Sequence, residues 1–192
     1  MRKERRERMG RPSIAEQRRI EIGRALQTCM VRSGSYRLTS VKDIAQEANV
    51  ATGLIHHYFE SKDEILYMMA DLSLIALSNS VEELMHTKTQ EQRQARLNEM
   101  FNDVNNSFVC NLYFLAASMP EVRKMIEDWR EELEAYLLVR IRRNEKYSDN
   151  AQECIERFMY LLETGIIYTS VFENKQAREL FEQALNEYFP LG

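Results

Sequence analysis

The stretch that decides the fold is SVKDIAQEANVATGLIHHYFESK, residues 40–62. Ser40 with Asp43 three residues later has the spacing of a capping box, so a helix is predicted over about 41–47. Asn49 follows where the chain must turn, and Asn enters the left-handed region more readily than most residues. A second short helix is predicted over 52–58. Ser61 with Glu64 then opens a third, long helix that runs to about 86. Ala45 and Ala48 are small enough for two helices to cross, and Ile44, Val50, Ile55 and Phe59 can lock them. This is the layout of a helix-turn-helix, in which the N-terminal residues of the second helix face base edges in the major groove. Thr52, Gly53, His56 and His57 would then point outward, and Lys62 could meet a phosphate.

Upstream, Ile22, Ala25, Leu26, Cys29 and Met30 keep helical period, so a helix is predicted over about 13–33. Ser13 and Glu16 would cap its start, and Gly34 would stop it. Residues 2–11, RKERRERMGR, read as a basic, disordered arm: either a solvated terminus or a segment that orders on nucleic acid. Downstream the pattern stays helical. A linker is predicted at 87–91, helices at 92–109 and 112–118, and another opening at Pro120. The buried face of that helix would be Val122, Met125, Ile126, Trp129, Leu133, Tyr136 and Leu137. A polar break at 144–150 precedes a helix carrying Ala151, Cys154, Phe158, Leu162, Gly165 and Ile166. Asn174 would cap the last helix, whose stripe is Ala177, Leu180, Phe181, Ala184, Leu185 and Tyr188.

Composition supports an all-α chain. The 192 residues hold only 6 Gly and 3 Pro, and no alternating β-branched runs suggest a sheet. The net charge of -4 is unevenly spread: residues 1–67 carry +4 and residues 68–192 carry -8. A basic front on an acidic body points to a polyanion met by the front alone. Cys29, Cys110 and Cys154 are odd in number and set in apolar helical contexts, which reads as buried free thiols in a reducing cytoplasm. No transmembrane span or signal peptide is read, so no membrane partner is expected.

At residues 40–62 the chain resembles the TetR family of transcriptional regulators. The matching pattern is T/S-V-x-D-I-A-x-x-A-x-V-x-x-G-x-x-x-x-Y/H-F-x-x-K, and residues 25–34 also resemble the family's first helix. The likeness is specific over about 18–67 and architectural beyond. It implies that Thr52, Gly53 and His57 contact bases, and that Ser40, His56, Tyr58 and Lys62 contact phosphates. The chain departs from the family at Asn49 (usually Gly), Ala51 (usually Ser) and His56 (usually Tyr). Losing Ser at 51 removes a cap worth about 1 kcal/mol, which Thr52 could supply instead.

The expected organisation is a basic arm (1–12), a three-helix helix-turn-helix DNA-binding domain (13–67) and a C-terminal helical bundle (68–192) for ligand binding and dimerisation. The aromatic and Met residues of the middle helices read either as core or as the wall of a ligand cavity, which the resemblance favours. Candidate wall residues are Phe101, Phe108, Tyr113, Met125, Trp129 and Tyr136, suited to an apolar or flat cationic effector. The resemblance also implies a homodimer through about 151–188. The expected function is a ligand-responsive regulator: a dimeric repressor on a palindromic double-stranded DNA operator, released by a small-molecule inducer. The alternative is a DNA-binding dimer without an inducer, controlled by a protein partner or by its level. No catalytic motif is present, so no enzyme is expected and no catalytic residue is named. No cofactor is expected. His56 and His57 point about 100° apart on a helix with no third ligand at useful spacing, so no metal is expected either.

Overall fold

The computed structural model describes residues 13–102, 105–172 and 176–191. The basic run at 1–12 and the predicted cap Asn174 lie outside the described residues. Among the described residues there are nine helices and no strand: α1 (Ile14–Ser33), α2 (Val41–Glu47), α3 (Thr52–Tyr58), α4 (Lys62–Met85), α5 (Gln90–Phe101), α6 (Asn105–Ala116), α7 (Pro120–Ile141), α8 (Ala151–Phe172) and α9 (Gln176–Tyr188). The chain divides into two compact units, Met1–Met69 and Ala70–Gly192, and α4 carries the backbone from one to the other.

In the first unit the start signals act as the sequence predicts. Ser13 and Glu16 complete a reciprocal capping box on α1, and Gly34 ends that helix in the left-handed region at φ 67°. Ser40 and Asp43 do the same for α2. Ile22, Leu26 and Met30 of α1, Ile44 of α2, Ile55 of α3 and Phe59 are buried. Ile65 and Leu66 at the head of α4 are buried as well.

In the second unit α8 packs against α6, α7 and α9. An aromatic chain runs through it: Phe101 lies edge-on to Phe181 at 5.6 Å, and Phe158 sits 4.9 Å from Phe181. Gly165 of α8 permits this closeness, because a Cβ there would stand 3.0 Å from the Phe101 ring. All three cysteines are buried free thiols. By length and composition α4 is long and apolar enough to cross a bilayer, and half of its apolar window is buried within the protein.

Three expectations are corrected. The helices predicted at 92–109 and 112–118 are instead α5 and α6, broken after Phe101. Thr89 accepts from the Gln92 amide and starts α5 early, while the Asn106 amide reaches back 2.7 Å to the Met100 carbonyl and closes the break. Met125 and Tyr136 are half-buried rather than core, and Ile141 joins the buried stripe of α7. Leu180 lies on the outside of α9, 45% exposed, since the apolar face of that amphipathic helix is already filled by Ala177, Phe181, Ala184, Leu185 and Tyr188.

Polar pins cross the second unit's core. The Trp129 indole donates 2.9 Å to the buried Ser78 hydroxyl. Buried Arg93 donates to Thr87 Oγ1 and, at 2.8 Å, to Asn186 Oδ1 on α9. A buried donor left without its acceptor costs about 1–3 kcal/mol. Ser78→Ala should therefore lower the unfolding free energy by that amount in urea melts, with an unchanged m-value.

Candidate nucleic-acid interface

The helix-turn-helix is built around one backbone conformation. Asn49 is the one non-Gly residue with positive φ, 54°, among the described residues. Behind it the Val50 amide donates 2.9 Å to the Ala45 carbonyl, so α2 ends sharply and the chain swings into α3. Ile44 (0% exposed) and Ile55 (2%) then close the crossing. Ala51 is the N-cap of α3 and makes no side-chain cap; Thr52, already inside the helix, does not take over that role. The first amides of α3 are thus left without a side-chain acceptor.

Thr52, Gly53, His56 and His57 are all exposed, so α3 offers a small, polar, weakly basic face. The His57 ring stands edge-on to Tyr58 at 5.1 Å. Gly53 has nothing within 4 Å of where a Cβ would be. No packing among the described residues asks for glycine there, although glycine weakens a helix by up to about 1 kcal/mol relative to Ala. Ser40 is exposed at the start of α2, with its hydroxyl 2.6 Å from Asp43 Oδ2. Arg37 and Lys42, both exposed, flank it along the chain; sequence reasoning passed over them, though their charge beside a cap was the available signal.

One predicted phosphate contact, Lys62, is tied inward. The Lys62 ammonium donates to the carbonyls of Tyr36 (2.9 Å) and Thr39 (2.8 Å) and lies 3.9 Å from the centre of the Tyr36 ring. Burial lowers its pKa from the usual lysine value. Next to it, the Tyr36 hydroxyl donates to Asp63, and burial together with that carboxylate raises the phenol's pKa. Lys62 is therefore a clamp on the loop ahead of α2 rather than a free cation. Tyr58 is half-buried, and its carbonyl accepts from Arg19. The sequence placed Tyr36 and Arg19 on the chain, but nothing in their spacing announced these contacts.

The candidate ligand residues have separate neighbours. Phe101 and Phe108 are core side chains, 3% and 0% exposed. Trp129 is held by Ser78. The Tyr113 hydroxyl donates 2.9 Å to Glu163, which also pairs with Arg130. Tyr136 lies under the Arg140 guanidinium, 4.8 Å from its ring centre, and Met125 is half-buried on α7. Among the described residues no three His, Cys, Asp or Glu side chains gather as a metal set.

A short exposed helix held on two others by an αL turn defines a helix-turn-helix protein of the all-α, two-unit kind. Residues 32–67 match the sequence profile described as bacterial regulatory proteins, tetR family. Over those residues the chain is similar to that family. The HTH-type transcriptional regulator HbdR of Aromatoleum sp. (strain CIB) is 42% identical over 57 residues, 30% of this chain and 24% of that protein. The matched segment thus spans about a quarter of that relative. A TetR transcription regulator from Haloarcula marismortui superposes with a TM-score of 0.71 at 17% identity, covering 90% of this chain and 96% of its own. A Saccharomonospora viridis protein solved in complex with choline gives 0.67 at 21% identity, covering 88% and 95%. At these identities the superpositions show the fold.

Removing the Lys62 ammonium strips two inward-facing carbonyls of their donor. Lys62→Met should lower the unfolding free energy by about 1–3 kcal/mol in chemical denaturation.

Proposed function

We propose that this chain is a ligand-responsive transcriptional regulator, a repressor that binds a palindromic operator as a dimer and is released by a small molecule. The observation that carries the DNA reading is the α3 face: exposed Thr52, Gly53, His56 and His57, with a helical glycine that no internal contact requires. A duplex pressed against that backbone supplies the missing reason for the glycine. Thr52, Gly53 and His57 meet bases, while Ser40, His56 and Tyr58 lie beside phosphates, joined by Arg37 and Lys42. The DNA-binding domain is the stretch 13–67, and the rest of the chain dimerises and senses. Its site of action is the cytoplasm, where three buried free thiols stay reduced.

The dimer reading rests on the outer face of the last two helices. Tyr160 (66% exposed), Tyr168, Val171 and Phe172 (64%) fall on one side of α8, and Leu180 stands out from α9. Large apolar side chains grouped at helical spacing favour a second copy as cover. Two reading helices then sit about 34 Å apart, in successive major grooves.

A cationic effector is supported by the Saccharomonospora viridis protein, which was solved with choline in the same fold. Aromatic faces attract such cations. The effector can shift operator affinity only by its own differential affinity for the two states. The alternative, a DNA-binding dimer without an inducer, draws support from the packing of Phe101, Phe108 and Trp129 into the core.

Gel shifts with the chain's own upstream region should show sequence-selective binding that weakens steeply between 50 and 200 mM salt. Insensitivity to sequence and salt defeats the DNA reading. Gly53→Ala should raise thermal stability by about 0.5–1 kcal/mol while weakening operator binding at least tenfold. His57→Ala should change the preference among operator variants rather than the salt slope. Light scattering should give a dimer at micromolar concentration, and Tyr168→Glu with Phe172→Glu should give a folded monomer; a wild-type monomer sinks the dimer.

A further inference from the structure

We infer that Arg19 of α1 is a positioning residue that fixes the C-terminal end of the recognition helix α3. The inference rests on the DNA reading for its purpose, but not for its geometry. One nitrogen of the guanidinium, Nη1, donates to the Tyr58 carbonyl, at the last residue of α3. The other, Nη2, donates 2.8 Å to Glu64 Oε1 at the head of α4. The guanidinium carbon sits over the Phe59 ring, 4.1 Å from its centre. Glu64 closes the loop, since its second oxygen accepts from the Glu60 amide at 2.7 Å. Arg19 and the Glu60 amide together hold the Glu64 carboxyl below the usual carboxylate range.

Four features make this contact decisive. An isolated helix of seven residues does not persist in water. The N-terminus of α3 has no side-chain cap. Its last carbonyls have no partner within the helix. The planar fork of arginine can meet a carbonyl, a carboxylate and a ring face at once, which the point charge of lysine cannot. Arg19 therefore stands where α3 would otherwise fray, one turn from His56 and His57. Both of its terminal nitrogens are engaged inside the protein, and the inference gives it a positioning role rather than a phosphate contact.

The test uses the full chain. In amide hydrogen exchange, Arg19→Met should speed the amides of His57, Tyr58 and Phe59 at least tenfold relative to wild type. Those of Ile44 and Ala48 in and beside α2 should change less than twofold. Arg19→Lys should restore little of the protection, and Glu64→Gln should move the same amides by a smaller factor. Uniform acceleration across α1–α3, or none, overturns the inference, and so does full rescue by Lys. If Arg19→Met does not fold, Arg19→Lys and Glu64→Gln decide by the same local-against-uniform comparison. A second readout uses a duplex enriched by the wild-type chain from a random pool, beside an unrelated duplex. Arg19→Lys should lose at least tenfold on the enriched duplex and less than twofold on the unrelated one, with an unchanged salt slope. For Arg19→Met, which removes the charge, a salt slope reduced by about one charge makes Arg19 a phosphate contact and overturns the inference. If wild type enriches nothing, the DNA reading fails while the exchange data still decide the role of Arg19.

Discussion

A seven-residue helix cannot hold itself in water, and α3 is such a helix. The outer face of α3 must stay free, so its support has to come from one side and from its ends. Ile55 and Phe59 bury the inner side against Ile44. The Asn49 turn fixes the entry. Arg19 holds the exit, and Lys62 ties down the loop that delivers α2. Lys62, which the resemblance assigns to a phosphate, thus holds the protein to itself, as Arg19 does. The exposed surface is left with histidines, a threonine, a glycine and the cations at 37 and 42.

The second unit answers a different demand. Its apolar faces could pack in several registers, and buried polar pairs select among them. Trp129 with Ser78, Arg93 with Asn186, and Tyr113 with Glu163 each accept one arrangement of their helices. Each pair joins residues far apart in the chain. Phe101, Tyr113, Trp129 and Tyr136 each keep neighbours of their own.

Much of this was legible in the chain. Ser13, Ser40 and Ser61 each accept from the amide three residues on, because capping is a local affair of four residues. The bounds of α2 and α3 and the Asn49 turn follow from the same local chemistry. Other features escaped. The break after Phe101 depends on an Asn106 amide reaching a backbone carbonyl, and helical periodicity carries no sign of it. Leu180 matched its stripe by spacing yet faces outward, because the angle of α9 on α8 decides which edge of a wide stripe is covered.

By itself, then, the sequence determined the helices of the first unit, the turn at Asn49 and the exposed face of α3, since these rest on contacts within a few residues. Only the tertiary structure decided what the charged side chains do. Arg19 reaches Tyr58 across 39 positions and Lys62 reaches Tyr36 across 26. An electrostatic partner is chosen by proximity in space, and a linear order of residues does not record which donors are spent inside the fold and which remain for DNA.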